Sequence, residues 1–148
     1  MVDIAHRVGI RAPLQQVYKA LARQDGVAGW WTRDVSQAGG VLQLRFNAGG
    51  AEIGAMRLKI LQQLPDQRVL WEVLAGPKEW LGTTIRFELK QEADYSIVIF
   101  SHEGWQQRVE FLHHCSTKWA VFLLSLKALL ETGHGQPSPD DIKIDNWN

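Results

Sequence analysis

Apolar residues recur along this chain with two periods, and the switches between them outline its architecture. From Asp3 to Arg11, Ile4, His6, Val8 and Ile10 share one face of a period-two pattern while Arg7 and Arg11 fall on the other, the signature of a half-buried strand. Ala12-Pro13 opens a short helix through Arg23, with Leu14, Val17, Tyr18 and Leu21 at helical spacing and proline tolerated in the first turn. Asp25-Gly26 is read as a break, followed by a second short helical turn over Val27 to Trp31 that carries the adjacent pair Trp30-Trp31.

Period two then returns. Five strands are predicted over Val41 to Phe46, Ile53 to Gln63, Arg68 to Leu74, Thr83 to Lys90 and Tyr95 to His102, with a short one near Asp34. Ala38-Gly39-Gly40, Asn47-Ala48-Gly49-Gly50, Leu64-Pro65-Asp66 and Gln91 to Asp94 separate these runs. Such short breaks suit antiparallel neighbours, because parallel strands need long crossovers. The in-phase positions Leu42, Leu44 and Phe46; Met56, Leu58 and Ile60; Val69, Trp71 and Val73; Ile85, Phe87 and Leu89; and Val98, Phe100 and His102 form the expected inner face. Ile97 and Ile99 fall on the opposite phase and call for a cover, either the C-terminal tail or a second copy of the chain.

The longest helical pattern follows Gly104. Leu112, Cys115, Trp119, Phe122, Leu123, Leu126, Leu129 and Leu130 recur at three and four, and Thr132-Gly133 is a usual stop. A helix from about Arg108 to Glu131 extends ~36 Å, enough to cross a curved sheet as a lid. Residues 1–135 are read as one domain and 136–148 as a tail whose Ile142, Ile144 and Trp147 argue for docking.

Composition narrows the partners. Sixteen basic and sixteen acidic residues give a net charge of zero, without the basic run expected of a binder of nucleic acid or anionic membrane. The apolar stretch Ala120 to Leu124 is too short to span a bilayer. One cysteine, Cys115, permits no intrachain disulfide, and charges near the N-terminus replace the apolar core of a signal peptide, so a cytoplasmic protein is expected.

The segment Trp71 to Thr84 sets two tryptophans and two glutamates around Gly76-Pro77. A buried indole offers a large apolar body with one N–H that seeks a partner, so this grouping suggests a structural clasp or a pocket wall. Together with Ala12-Pro13 and Val17-Tyr18-Lys19-Ala20-Leu21, the triplet Trp30-Trp31-Thr32, Val69-Leu70-Trp71, Glu79-Trp80 with Gly82-Thr83, His102-Glu103-Gly104-Trp105, and Cys115 with Trp119, it resembles the SRPBCC/START-like superfamily. Within that superfamily the chain is similar to stand-alone bacterial members related to the C-terminal domain of the activator of the ninety-kilodalton heat-shock-protein ATPase. The resemblance covers about Ile4 to Gly133. It implies an α+β helix-grip fold: a curved antiparallel sheet of six to seven strands wrapped around a long C-terminal helix, with two short helices after the first strand. It also implies a cavity between sheet and helix, used by relatives for lipids, sterols, polyketides or plant hormones. The activator's additional N-terminal domain has no room in this chain. Fold alone does not assign an activity.

The candidate ligand-binding residues are Trp31, Phe46, Met56, Trp71, Phe87, Phe100, His102, Cys115, Trp119 and Phe122. Trp80 and Trp105, at turn-like positions, are read as clasps, and one of Trp30 and Trp31 is expected to cover the cavity mouth or pack on the tail. His102 either meets a polar group of a ligand or, as preferred, pins the turn before the long helix. Glu72 is out of phase with the inner face and Glu79 sits in a solvated turn. His113-His114-Cys115 lacks metal-ligand spacing, since adjacent helical residues diverge by about 100°. Cys115 lacks a cationic neighbour to stabilise a thiolate, and neither glycine pair enters a helix as a phosphate loop would. No catalytic residue, metal or cofactor is therefore assigned.

A binding module for a small apolar or amphipathic molecule, as monomer or homodimer, is the leading expectation. A cyclase- or dehydratase-type enzyme using His102 with Tyr95 or Glu79 is the alternative. A chaperone-associated protein acting through its surface ranks third.

Overall fold

The computed structural model describes all of Met1–Asn148. Strand β1 (Val2–Ile10) leads into helices α1 (Leu14–Ala22) and α2 (Gln24–Ala28); strands β2 (Asp34–Ala38), β3 (Val41–Ala48), β4 (Ala51–Leu64), β5 (Arg68–Ala75), β6 (Thr84–Glu92) and β7 (Tyr95–Trp105) follow, and helix α3 (Glu110–Thr132) closes the fold. A single 3₁₀ turn, Lys78–Trp80, lies between β5 and β6. All seven strands pair antiparallel in the order β1-β7-β6-β5-β4-β3-β2. The meander runs from β2 to β7, and the first strand completes the sheet beside the last. This is the helix-grip α+β architecture, with α3 extending about 34 Å across the concave face. No helix is long and apolar enough to cross a membrane.

The period-two positions bury the face expected of them. Leu42, Leu44, Leu58, Val69, Trp71, Val73, Ile85, Phe87, Leu89, Val98 and Phe100 meet Leu112, Trp119, Phe122, Leu123 and Leu126 of α3 in one core. The helix is stopped by Gly133, whose φ of 87° places its N–H on the Leu129 carbonyl; only glycine takes that left-handed turn without a Cβ penalty. The opposite face of the sheet carries a ladder of charge, Arg68–Glu88–Arg86–Glu103, across three strands.

Three local expectations change. Asp25-Gly26 does not break the helices; it lies inside α2, and the break falls at Arg23, whose backbone is extended. Gly26 serves close approach, because a Cβ there would stand 2.6 Å from the Ala20 Cα of α1. Trp30 and Trp31 both turn inward, stacked 5.7 Å apart with planes 13° from parallel, so neither indole is spent on the surface. Parallel stacking lets adjacent residues enter one core, and Trp30 Nε1 finds its partner in the Ala20 carbonyl at 2.9 Å.

Ile97 is only 3% exposed within the single chain, so it needs no second copy to bury it. Its neighbours in register are Gly9 and Lys90. At Gly9 an added Cβ would lie 3.1 Å from the Tyr95 ring and 3.4 Å from Ile97 Cδ1, so those two side chains fill the space the glycine leaves. Ile99 is half-buried between Arg7 and Glu88 in register. The tail docks elsewhere. Gln136 N–H donates to Ser125 Oγ (2.7 Å), Ser138 N–H donates to the Trp31 carbonyl (2.8 Å), and the chain then descends along α3 toward His114. Ile142 and Trp147 remain largely exposed along it.

Candidate functional site

Where α3 crosses the β3–β4 end of the sheet, the two surfaces diverge and leave a cleft of about 420 Å³. Trp31 from the turn after α2, Phe46 from β3, Met56 from β4 and Cys115, Trp119 and Phe122 from α3 line it. Trp80 joins them from the 3₁₀ turn, a position whose phase could not be read from the strand pattern. The rim is formed by Ile53–Ala55 near the start of β4, the Gly76-Pro77 turn, Phe111 and His114. Ile53 is 64% exposed there, an apolar side chain on the lip of an apolar cleft.

Trp71, Phe87, Phe100 and His102 were also expected at the site but do not line the cleft. The indoles of Trp31 and Trp119, with centroids 4.9 Å apart, fill the space in front of them. Trp71 stacks behind Trp31 at 6.0 Å and Phe100 behind Trp119 at 4.5 Å. These rings support the wall from the core side.

His102 is fully buried, and both ring nitrogens are engaged by the protein. Trp119 Nε1 donates to Nδ1 at 3.1 Å, so the proton resides on Nε2, which donates to Thr83 Oγ1 at 2.8 Å. The Thr83 hydroxyl donates in turn to the Trp80 carbonyl at 2.5 Å. This relay ties α3 to the strand ends and to the turn that holds Trp80. Burial disfavours the imidazolium and drives the His102 pKa down to about 3. The side chain is a neutral brace. Its suggested catalytic companions do not reach it: Tyr95 lies by Gly9 at the other end of β7 with the Arg11 guanidinium 5.1 Å from its ring centroid, and Glu79 does not line the cleft.

Cys115 faces the cleft as a thiol. Burial pushes it up to about 12, and the neighbouring Trp80 indole offsets only part of that rise, so it is not an activated nucleophile. The Trp80 Nε1 itself makes no hydrogen bond of ordinary geometry. His113 points to solvent and His114 pairs with Asp145 at 2.7 Å; no three histidine, cysteine or acidic side chains converge into a metal-sized group.

The polar corner of the cleft was not anticipated. Lys118 and Asn148 line it. Lys118 Nζ is bonded to the Asp141 carboxylate, to the Ile142 carbonyl (2.9 Å) and to Asn148 Oδ1 (3.2 Å). Burial alone would raise the Asp141 carboxyl, but hydrogen bonds from Lys118 and Lys143 outweigh it and hold the group below its ordinary value. Lys118, three residues on from Cys115, lies on the same stripe as Cys115, Trp119 and Phe122, so the expectation that this face of α3 carries no cation is corrected.

A seven-stranded helix-grip domain with an aromatic cleft under its long helix defines a broad class of α+β proteins. Residues 11–131 match the family model described as Activator of Hsp90 ATPase homolog 1-like protein, and the chain belongs to that family. Among solved structures it is similar to the Aha1 dimer from Colwellia psychrerythraea, at 41% identity and a TM-score of 0.79, over 91% of this chain and 100% of that one. SSP2350 from Staphylococcus saprophyticus matches at 20% identity and a TM-score of 0.72, over 90% of this chain and 95% of its own. DynU16, from the dynemicin biosynthetic locus, matches at 20% identity and a TM-score of 0.73, over 90% of this chain and 48% of its own. The last two establish likeness of fold alone. No curated protein matches the chain.

Proposed function

We propose that the chain is a binding module that takes a small, largely apolar molecule into the cleft beneath α3. The observation that carries this reading is the cleft itself: about 420 Å³, with Trp31, Phe46, Trp80, Trp119 and Phe122 among its walls. That volume falls within the roughly 300–1,000 Å³ usual for small-molecule sites, and aromatic walls supply contact area at low entropic cost. A cyclase- or dehydratase-type reaction would need an acid or base at the walls, and the residue put forward for it, His102, is neutral and spent on Trp119 and Thr83. A homodimer in the cytoplasm is the setting proposed, the relative from Colwellia psychrerythraea being described as a dimer; a monomeric mass by light scattering would set the dimer aside. Native mass spectrometry of the purified protein, with fluorescence titration of N-phenyl-1-naphthylamine, tests the binding reading. A co-purifying small molecule or saturable binding is expected. Neither, in folded protein, would refute it.

A further inference from the structure

The cleft's one ammonium group is unusually placed. Lys118 is 7% exposed, its Nζ stands 5.0 Å from the Phe122 ring centroid, and no aspartate or glutamate lines the cleft with it. An ammonium in such surroundings is costly unless paired. Its carboxylate partner, Asp141, is shared: Oδ2 meets Lys118 and Oδ1 meets Lys143 at 2.9 Å. Lys118 therefore does not have the Asp141 carboxylate to itself. Lys118 completes its set with two neutral oxygens, and the longer of these contacts, 3.2 Å, comes from Asn148, which also lines the cleft. Exchanging that carboxamide oxygen for a ligand oxygen requires no movement of Asp141.

We propose that Lys118 anchors an anionic oxygen, and that the cleft's ligand is a small amphipathic anion: a compact apolar body carrying one carboxylate or comparable group. The apolar body lies among Trp31, Trp80, Trp119 and Phe122, and its charged group replaces Asn148 on Nζ. This inference rests on the binding reading above and adds the ligand's charge to it.

Two fluorescent probes with the same ring skeleton test it: 8-anilinonaphthalene-1-sulfonate, which carries an anion, and N-phenyl-1-naphthylamine, which does not. Lys118→Met, nearly isosteric, is expected to weaken the sulfonate about tenfold, the worth of one charge-assisted hydrogen bond, and to leave the neutral probe within about twofold. Asp141→Asn leaves the Lys118 ammonium without its carboxylate, so the sulfonate would supply the full negative charge at Nζ; it is expected to tighten the sulfonate while leaving the neutral probe unchanged. Circular dichroism checks that each variant folds, and if Lys118→Met does not, Asp141→Asn decides alone. Equal effects on both probes, or no tightening in Asp141→Asn, overturn the anionic anchor and leave the binding reading standing. If the neutral probe binds the unaltered protein and the sulfonate does not, the anionic anchor falls and the binding reading stands; if neither probe binds and nothing co-purifies, both fall.

Discussion

Replacing His102 by Gln separates a brace from an acid–base group, and the structure fixes the size of the effect. Glutamine can accept from Trp119 and donate to Thr83, so near neutral pH the variant keeps part of the relay and loses about 1 kcal/mol. Acid distinguishes the two proteins. In the folded state His102 stays neutral until the pH nears about 3, whereas in the unfolded chain a histidine takes up a proton near pH ~6.5. As pH falls below that unfolded value the unfolded state binds the extra proton, and folding stability drops by about 1.4 kcal/mol per unit until the folded value is reached. Between pH 7.5 and 4.5 this amounts to about 2–3 kcal/mol lost by the histidine protein and absent from the glutamine variant. Because pH 4.5 lies well above the folded value, the figure depends little on how far His102 is depressed. Urea titrations of both proteins at several pH values measure it. The other histidines and the carboxylates are common to both and largely cancel in the difference. The histidine protein should be the more stable at pH 7.5 and the less stable at pH 4.5. Parallel stability curves would mean that His102 is not held neutral in the core.

Trp119→Ala removes an indole wedged between Trp31, Trp80 and Phe100 and strips His102 Nδ1 of its donor; a loss of roughly 3–5 kcal/mol in urea denaturation is expected, and one below about 1 kcal/mol would contradict the packing. Gly135→Ala would place a Cβ 2.3 Å from the Gly29 carbonyl oxygen, so the tail must lift; a fall in Tm and faster hydrogen exchange at the Ser138 amide are expected, and no change in either would show that the close approach is not made. Cys115 faces the cleft with its pKa raised to about 12, so little of it is thiolate at pH 8 and it should react with a disulfide reagent far more slowly than in the unfolded chain; an equally rapid reaction in native protein would refute the raised value.

The fold was legible because its signal is local. Alternation along Val69, Trp71, Val73 or Ile85, Phe87, Leu89 states which face is buried before any partner is known, and the stripe from Leu112 to Leu126 does the same for α3. The site was legible only where the same periodicity reached it, as at Phe46, Met56, Cys115, Trp119 and Phe122. Trp71, Phe87 and Phe100 share that phase but lie behind Trp31 and Trp119; depth within a core is a matter of tertiary packing that periodicity does not encode. Trp80 reaches the cleft from a 3₁₀ turn after Gly76-Pro77, which has no phase to extrapolate. The polar corner needed a contact between positions 118 and 141, which only the docked tail creates.

The pairing of β1 with β7 has a consequence for how the molecule is made. Val2 faces Trp105 and Ile10 faces Ser96, so the opening strand waits for nearly a hundred residues to be synthesised before its partner exists. The β2–β7 meander can zip from one hairpin to the next while the chain emerges, but closing the sheet at β1 carries the entropy of a long loop. In that interval β1 presents Ile4, Val8 and Ile10 with an unpaired edge, and the same edge of β7 is open. Association between nascent or partly unfolded copies should therefore begin at these two strands, and substitutions that weaken their pairing should lower soluble yield more than their effect on equilibrium stability would suggest.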